Sequence, residues 1–599
     1  MQRVNLKDFS FTRSFVFLRQ TKRVKAKQLR VMLKEISVRS ELENAAPIVV
    51  RHKVLLTALP PNYGSVSFLL GETVRAPTFA NGTLQERVLA YVLLIEAGGY
   101  AAMQLRHLGT IDVEPLFLGH SLVPYGQITS VLTNGANILK LVSKIINPAQ
   151  SGLTGRAYEG NSLQNEMPQF GSGKTIPRSL KANDNGAVIS VTASAARITA
   201  YGPAVDIDQV GMWFSQIRAM LTNNHRSTFL SRFAEPIDFA TAMPNLTPSL
   251  IVFDTLGLQT KIEQDRLVWR RKFKKDNQRK LARPVATPQM TDFLIGQLSS
   301  NAVIKNGDFP LGRLAVGGSK IKVELDAFRN FTLFDGKKDV ALSAYINSKD
   351  LFSVYFDSPD HVYMSGGIYR DSGIVGETLS VIAALQGLPT LALADREKID
   401  ISRDNPHPNK GALNNFPPTS VFTIAEDKYQ NADYIFCDDL GDEWADHIAV
   451  HAASKTLTFI HSKHGKPTTG ASSLHEVVGQ ALKNMGNLLC MPAAMGRKIA
   501  GYNCSYHGTN IPLVRRAPPG LTIVQIEDRI MQILSDNLLR REAVLCCSFL
   551  SAADVSNQLT KLKNGQPVRS HIRQLLWLLS YFVAACKELS VIPIILCRP

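Results

Sequence analysis

The segment Tyr434–Gly465 constrains the fold of this chain most strongly, because short apolar runs follow one another there with little chain between them. These runs predict three strands, over Tyr434–Cys437, Asp446–Val450 and Leu457–Lys463. The short link Ala452–Lys455 suits a hairpin, so the last two strands should pair. Successive side chains of a strand point to opposite faces, so His461 and Lys463 should share one face. We therefore expect Asp446, His461 and Lys463 to converge at one end of the hairpin.

A helix is predicted directly after the hairpin, over Ser472–Met485. Apolar residues recur there at helical spacing, at Leu474, Val477, Val478, Ala481 and Met485. Gln480 and Lys483 are three residues apart and so lie together on this helix. The helix therefore brings an amide and a second ammonium group close in sequence to the lysine-bearing strand.

The order of an acid, a hairpin, a His-x-Lys strand and a helix with a Gln resembles the PD-(D/E)xK restriction-endonuclease-like superfamily. In that superfamily an Asp on one strand and a (D/E)-x-Lys on the next hold a divalent cation and activate water. Asp446 matches the Asp and Lys463 the Lys, while His461 stands where the motif has an acid. The run is similar to a His-x-Lys variant found in large prokaryotic defence proteins. The resemblance is confined to the C-terminal part of the chain.

The resemblance implies a role for each of these residues. The catalytic set would be Asp446, His461, Lys463 and Gln480, and the metal ligands would be Asp446, Glu443 and His461. The cofactor would be a divalent cation, Mg²⁺ or Mn²⁺. Because imidazole suits Mn²⁺, Fe²⁺ or Zn²⁺ better than Mg²⁺, His461 argues against strict Mg²⁺ dependence. Without the resemblance, a surface salt bridge across the hairpin and a hydrogen-bonded histidine at its rim explain the same residues.

Further acids outside the hairpin are candidate ligands. Glu443 lies three residues before Asp446, so a turn or bulge could bring both carboxylates to one ion. Asp438 and Asp439 are expected to end the preceding strand. Glu377, on a helix predicted over Gly376–Leu385, is expected to be an exposed helical acid, with a metal-binding role as the alternative.

The charge of the chain favours a polyanionic partner. Its 599 residues carry a formal net charge of +17, and ten Lys or Arg residues face three acids within Lys261–Arg283. Aromatic rings interleave with this charge, so we expect nucleic-acid binding by Trp269, Arg270, Arg271, Lys272, Lys274 and Lys275. The alternative is a solvated linker helix. A second basic cluster, Arg19–Lys34, should begin an amphipathic helix near the amino end.

Several classes of protein are disfavoured by the same sequence. The longest apolar run, Leu575–Cys586, is too short to span a membrane, and the amino end lacks a signal-peptide core. An odd count of seven cysteines predicts free thiols and a cytoplasmic location. Cys504 and His507 provide only half of a zinc-binding pattern. The glycines of Phe170–Thr175 lack the first glycine, the preceding strand and the following helix of a phosphate-binding loop, which disfavours ATP binding.

The expected fold class is multidomain α/β, with an N-terminal α+β region and a C-terminal restriction-endonuclease-like core, a mixed sheet flanked by helices. The expected regions are 1–260, of unassigned role, 261–290, a basic linker, 291–365, a strand-rich connection, and 366–599, the nuclease domain. Within the first region we expect strands over Ile48–Leu59 and Ser65–Leu70, an apolar helix around Leu84–Leu105 and a long loop over 151–186.

The expected function is that of a metal-dependent nuclease acting on DNA, with RNA as the alternative substrate. The resemblance implies prokaryotic defence against foreign DNA, including antiviral defence. It also implies a helicase or other subunit acting in trans, since the chain lacks an ATPase motif. Two other interpretations stay open, a catalytically degenerate nucleic-acid-binding subunit and a structural adaptor that docks a partner protein.

Overall fold

In the computed structural model the chain divides into two compact units, described separately below. Unit 1 comprises Met1–Gln164 and Lys174–Ser372, and unit 2 comprises Asn165–Gly173 and Gly373–Pro599. The structure describes residues 5–56, 63–75, 84–109, 112–146, 155–223, 225–264, 267–275, 278–285, 287–299, 302–334, 339–401, 407 and 409–599.

Unit 1 is built largely from antiparallel strands. Its strands are β1 (Ser14–Gln20), β2 (Glu43–Leu55), β3 (Tyr63–Arg75), β4 (Glu86–Ala97), β5 (Tyr100–Arg106), β6 (His120–Leu122), β7 (Asn137–Ile145), β8 (Gly155–Glu159), β9 (Thr175–Asp184), β10 (Ala187–Thr192), β11 (Arg197–Ala200), β12 (Glu235–Ile237), β13 (Pro248–Phe253), β14 (Val268–Lys275), β15 (Gln278–Pro284), β16 (Ala302–Val303), β17 (Asp308–Phe309), β18 (Gly312–Val316), β19 (Ile321–Glu324), β20 (Phe331–Phe334), β21 (Asp339–Ala341), β22 (Phe352–Phe356), β23 (His361–Met364) and β24 (Gly367–Arg370).

The helices that accompany these strands are α1 (Ala26–Arg39), α2 (Tyr125–Ile128), α3 (Leu163–Glu166), α4 (Ile207–Asn223), α5 (Phe239–Ala242), α6 (Thr255–Gln264), α7 (Thr287–Leu298) and α8 (Leu342–Ser348). The helix predicted to begin within Arg19–Lys34 is confirmed in outline by α1. Helix α1 buries the side chains of Leu29, Leu33 and Ile36, which lie on one face at spacings of four and three residues.

The largest sheet of unit 1 has the order β2-β3-β4-β5-β1-β11-β10-β9-β7-β8, with β6 paired to β1. The helix predicted around Leu84–Leu105 is wrong, because β4 and β5 form an antiparallel hairpin there. Gly98 and Gly99 make the tight turn, and both have positive φ, of 55° and 81°. Both faces of the second half of β4 are buried, so its apolar run lacks the alternation that distinguishes a strand from a helix.

The segment 151–186 also differs from its prediction. Instead of a long loop, its described residues include β8, α3 and all of β9. The glycines of Phe170–Thr175 lead into β9 and are not followed by a helix, as predicted. Polar, glycine-rich composition suggested a loop, but these strands pair within a large sheet whose neighbours supply their backbone hydrogen bonds.

The basic segment 261–284 is also not a linker helix. Only its start lies in α6, and β14 and β15 then form a hairpin within the sheet β15-β14-β20-β21. Trp269 is fully buried, and its indole N–H donates to Thr291 Oγ1 at 2.8 Å. Alternating aromatic and basic residues suit a strand with one apolar face, which explains why the segment pairs in a sheet.

Unit 2 contains one mixed sheet and the helices that cover it. Its strands are β25 (Leu385–Gly387), β26 (Tyr434–Cys437), β27 (His447–His451), β28 (Thr456–Lys463), β29 (Val514–Arg516), β30 (Arg540–Ser551) and β31 (Ile592–Arg598). Its helices are α9 (Val375–Ala384), α10 (Val421–Lys428), α11 (Ala471–Lys483), α12 (Met485–Leu488), α13 (Pro492–Ala500), α14 (Ile523–Leu534), α15 (Ala552–Lys563) and α16 (Ser570–Glu588).

The strand order in this sheet is β25-β31-β30-β28-β27-β26-β29. The first four strands are parallel, and the pairs from β28 to β29 are antiparallel. The predicted hairpin is therefore confirmed as β27–β28, and the predicted helix after it as α11. The chain is thus a mixed α/β protein with more than one compact unit, and unit 2 has a mixed sheet flanked by helices.

The two faces of the unit 2 sheet have separate apolar cores. One face packs under α9, α11, α14, α15 and α16, and the other is covered by α10. Cys546 and Cys547 are adjacent in β30 and belong to opposite cores. Helix α16 contains the apolar run Leu575–Cys586, and none of the described helices is long and apolar enough to cross a membrane.

Candidate metal centre

The loop between β26 and β27, residues 438–446, is closed at its neck by buried polar contacts. The backbone N–H of Asp438 donates to the carbonyl oxygen of Asp446 at 2.9 Å. The carboxylate of Asp438 accepts from the backbone N–H of Trp444 at 2.8 Å and binds Lys498 Nζ at 2.8 Å. Asp438 is fully buried, so these contacts offset the cost of burying its charge. The loop is thereby held in a compact arc.

This arc brings three carboxylates together. One oxygen each from Asp439, Glu443 and Asp446 lie within 4.8 Å of one another. Oxygen ligands at about 2.0 to 2.6 Å from a divalent cation have separations of this size. Asp439 and Asp446 are buried and Glu443 is partly buried. We call these residues the acidic triad, and they could hold a metal ion.

Burial and mutual repulsion act on the protonation of the acidic triad. Burial, followed by the neighbouring charges of Asp439 and Glu443, raises the pKa of Asp446 well above its usual range, although the backbone N–H of Ser462 donates to Asp446 Oδ2 at 2.7 Å. Burial and the charge of Asp439 likewise raise the pKa of Glu443. A cation between these groups would relieve the repulsion that raises both values.

Two further side chains bind the carboxylate of Asp439. Lys398 Nζ lies 2.5 Å from Asp439 Oδ2, and Tyr506 Oη donates to the same oxygen at 2.7 Å. Burial acts to lower the pKa of Lys398, but the charge of Asp439 and the hydrogen bond to it raise the value above the usual one. The Lys398 ammonium is therefore a fixed positive charge beside the acidic triad.

Lys463 shares the sheet face of Asp446 by register but binds other acids. The pairing of His447 with Ile460 places Asp446 opposite His461, and Lys463 lies two residues further along β28. Its ammonium binds Glu476 Oε1 at 2.9 Å and Glu397 Oε2 at 3.5 Å. Burial acts to lower the pKa of Lys463, but these two glutamates raise it above its usual value.

His461 and Gln480 occupy different positions around the acidic triad. His461 is buried, and burial together with the charge of Lys483 lowers its pKa to about 3, so its imidazole is neutral at pH 7. Among the described residues, the group that could hold a metal consists of carboxylates and does not include His461. Gln480 Nε2 donates to Glu443 Oε1 at 3.4 Å, so α11 does bring this amide to the edge of the triad.

The remaining candidate residues do not belong to the acidic triad. Glu377 is buried rather than exposed, and its Oε1 accepts from the backbone N–H of Gly171 at 2.6 Å. The ring of Trp269 lies inside the core of unit 1 and cannot stack on a base while that unit is folded. Arg270 stacks on Phe334 with its guanidinium carbon 3.2 Å from the ring centroid. Arg271 is exposed and Lys272 partly so. The side chains of Lys274 and Lys275 lie outside the described residues.

No protein-family model, curated protein or solved structure matches this chain. The arrangement of the acidic triad is therefore the main guide to function.

Sequence reasoning missed three residues of the site. Asp439 was assigned to the end of a strand, although its place after the apolar run Tyr434–Cys437 put it at the same sheet edge as Asp446. Lys398 lies in a segment without helix or strand, and Tyr506 lies in a single 3₁₀ turn. Neither residue carries a periodic signal, because both reach Asp439 through long-range packing.

Proposed function

We propose that this chain is a metal-dependent nuclease that cuts DNA, with the cation held by Asp439, Glu443 and Asp446. The observation that carries the proposal is the acidic triad, whose carboxylate oxygens lie within 4.8 Å of one another on a loop closed by buried hydrogen bonds. Hard divalent cations such as Mg²⁺ and Mn²⁺ prefer this kind of oxygen ligand. The cation ligands differ from the sequence prediction, since Asp439 replaces His461.

A bound divalent cation would lower the pKa of its water and polarise the scissile phosphate. The residues of the chain would supply the remaining chemistry. Asp439 and Asp446, both buried, would fix the position of the ligand oxygens. Lys398 would place a positive charge beside the negative charge that develops on the phosphate, and Gln480 would orient Glu443. Lys463 would add its charge when substrate phosphate competes with Glu397 and Glu476.

The proposal of DNA as the substrate rests on charge and on the sequence pattern. A net charge of +17 favours association with a polyanion. The order of Asp446, hairpin, Lys463 and α11 supports a restriction-endonuclease-like core in a prokaryotic defence protein, which would act with a helicase or other subunit. RNA is the alternative polymer, and a matched RNA strand in the same assay separates the two.

The proposal is tested by DNA cleavage with Mg²⁺ or Mn²⁺, with Asp446→Asn compared with wild type. We expect the variant to lose cleavage, because the amide removes a negative ligand while keeping the side-chain shape. Asp442→Asn is the matched control, because Asp442 lies in the same loop with a side chain that is 94% exposed. Equal cleavage by wild type and Asp446→Asn would contradict the proposal.

A second candidate function is nucleic-acid binding without cleavage. It is favoured by one observation, the pairing of Lys463 with Glu397 and Glu476, which keeps its ammonium occupied. In that case the acidic triad would bind a cation and the chain would bind DNA, but no product would form with either cation. Cation binding together with intact DNA in the same assay identifies this function.

A further inference from the structure

A cleft of about 470 Å³ lies in unit 1, on the sheet edge formed by β7, β8 and β9. Its lining includes three basic residues and several residues with hydroxyl groups, and none of the described lining residues is an acid. The basic residues are Lys144, Arg156 and Arg178, and hydroxyl groups come from Ser179, Thr192 and Ser194. A cleft of this size suits a small ligand or a short stretch of a polymer.

The register of the strands shows how these residues come to lie at one edge of the sheet. Ser143 pairs with Arg156 across β7 and β8, and Ser179 pairs with Thr192 across β9 and β10. The pairing of β7 with β9 shifts between Val142 and Ser143, so that Arg178 is the extra residue of a bulge. A bulge redirects a side chain relative to the regular pleat. The bulge therefore gives the Arg178 side chain a direction that a regular strand would not give it.

The two arginines carry most of the available charge. Lys144 forms an ion pair with Asp254, which neutralises it in part. For the Arg156 and Arg178 side chains, no carboxylate among the described residues lies within ion-pair distance of either guanidinium. Asp350 interacts with Arg178 through its charge, without forming an ion pair with it. The planar guanidinium groups of arginine, together with neighbouring hydroxyl groups, match the geometry of phosphate oxygens.

We propose that this cleft binds phosphate groups of a nucleic-acid strand, with Arg156 and Arg178 as the main contacts. The choice of a polymer rests on the proposed function, whereas the choice of phosphate rests on the cleft alone. The cleft lies within unit 1, and the acidic triad lies within unit 2. Strand binding by the cleft is thus separable from cleavage.

The test measures binding of a short fluorescein-labelled single-stranded DNA by anisotropy, over a range of salt concentrations and in the presence of EDTA. We expect Arg156→Gln with Arg178→Gln to weaken binding at least 10-fold and to flatten the salt dependence, by roughly 0.7 in slope for each lost phosphate contact. The matched control is Arg87→Gln with Arg106→Gln, which removes the same charge from exposed positions on β4 and β5 of the same sheet. Arg156→Gln alone, at an exposed position, keeps the test valid if Arg178→Gln impairs folding.

Three results decide the proposal. A loss confined to the cleft variants, with unlabelled DNA competing better than ATP, supports it. If ATP competes as well as unlabelled DNA, the proposal of a polymer ligand is overturned, and the cleft is assigned to the phosphate groups of a mononucleotide. Equal affinity and equal salt slope for Arg156→Gln and wild type overturn the phosphate assignment. Asp446→Asn is measured in parallel, and unchanged binding by this variant shows that failure of the nuclease proposal leaves the cleft result intact.

Discussion

Lys398 and Asp439 form an ion pair in which Lys398 Nζ lies 2.5 Å from Asp439 Oδ2. Asp439 also belongs to the acidic triad, so the ammonium of Lys398 partly neutralises the group that would hold a divalent cation. A cation and Lys398 therefore share the same negative charge. This arrangement predicts that the triad is tolerable without a cation only because Lys398 is present.

Replacing Lys398 with Gln should lower the free energy of unfolding in EDTA by about 1 to 3 kcal/mol, because Asp439 loses a partly buried countercharge. Mn²⁺ should then restore more stability to the variant than it adds to wild type, since the cation replaces the missing charge. Thermal unfolding with EDTA or Mn²⁺ measures both effects. Lys466→Gln is the control and should behave like wild type, because Lys466 is an exposed lysine shortly after β28. Identical Mn²⁺ stabilisation of Lys398→Gln and wild type would contradict this account.

Replacing Lys463 with Ala should reduce DNA cleavage by about 100-fold or more, because the variant loses a positive charge near the reacting phosphate. Its free energy of unfolding should fall by about 1 to 2 kcal/mol, since the Glu476 side chain is 57% exposed but the ion pair with Glu397 is partly buried. Single-turnover cleavage and chemical unfolding measure the two effects, with Lys466→Ala as the control. Normal cleavage by Lys463→Ala would remove this lysine from the mechanism.

The sequence predicted the part of the site that depends on local pattern. The hairpin β27–β28 and helix α11 follow from strand alternation and helical periodicity, and both lie where the pattern put them. The proximity of Glu443 to Asp446 also followed from their spacing, because a turn within the loop joins them. Asp439, Lys398 and Tyr506 needed tertiary information, since they meet across segments far apart in the chain.

Unit 2 should lose stability as the pH falls below 6.5, because His461 stays neutral in the folded state while its pKa is lowered to about 3. In the unfolded chain His461 takes up a proton near pH 6.5, its usual pKa. The stability that neutral His461 contributes is therefore fully present above that pH and is lost progressively towards pH 3. Between these two pH values, this one group should lower the free energy of unfolding by up to about 1.4 kcal/mol for each pH unit.

The measurement for His461 is chemical unfolding of wild type and His461→Leu between pH 7.5 and 4.5. Subtracting the two curves isolates His461 from the acids of the loop, whose raised pKa values act in the opposite direction. The difference in free energy of unfolding between wild type and His461→Leu should decrease as the pH falls. A difference that does not change with pH would show that the pKa of His461 is not lowered in the folded state.

Replacing Trp269 with Phe should destabilise unit 1 by about 1 to 3 kcal/mol, because the ring is fully buried and its N–H loses Thr291 as an acceptor. Affinity for DNA should not change under conditions where the protein is folded. Trp577→Phe is the matched control, because Trp577 is 46% exposed and a similar change there should have little effect on stability. A loss of DNA affinity by folded Trp269→Phe would support the base-stacking role that the sequence suggested.

The sequence prediction was wrong where composition alone could not show which residues are buried. The residues around Trp269 looked like a charged linker, yet strand pairing turns the tryptophan into the core. The hairpin β4–β5 looked like a helix, because burial on both faces removed the alternation on which strand prediction depends. In both cases tertiary packing determined the structure against the local sequence pattern. The strands with which these segments pair could not be identified from that pattern.

The proposed function requires Asp439, Glu443 and Asp446 to form one divalent-cation site. Calorimetric titration of the full chain with Mn²⁺ tests this requirement, using wild type, Asp439→Asn, Asp446→Asn and the control Asp442→Asn. We expect one Mn²⁺ bound per chain by wild type and by Asp442→Asn, and at least 10-fold weaker binding by each triad variant. Mn²⁺ binding that is unchanged in both Asp439→Asn and Asp446→Asn, or absent from wild type, would contradict it.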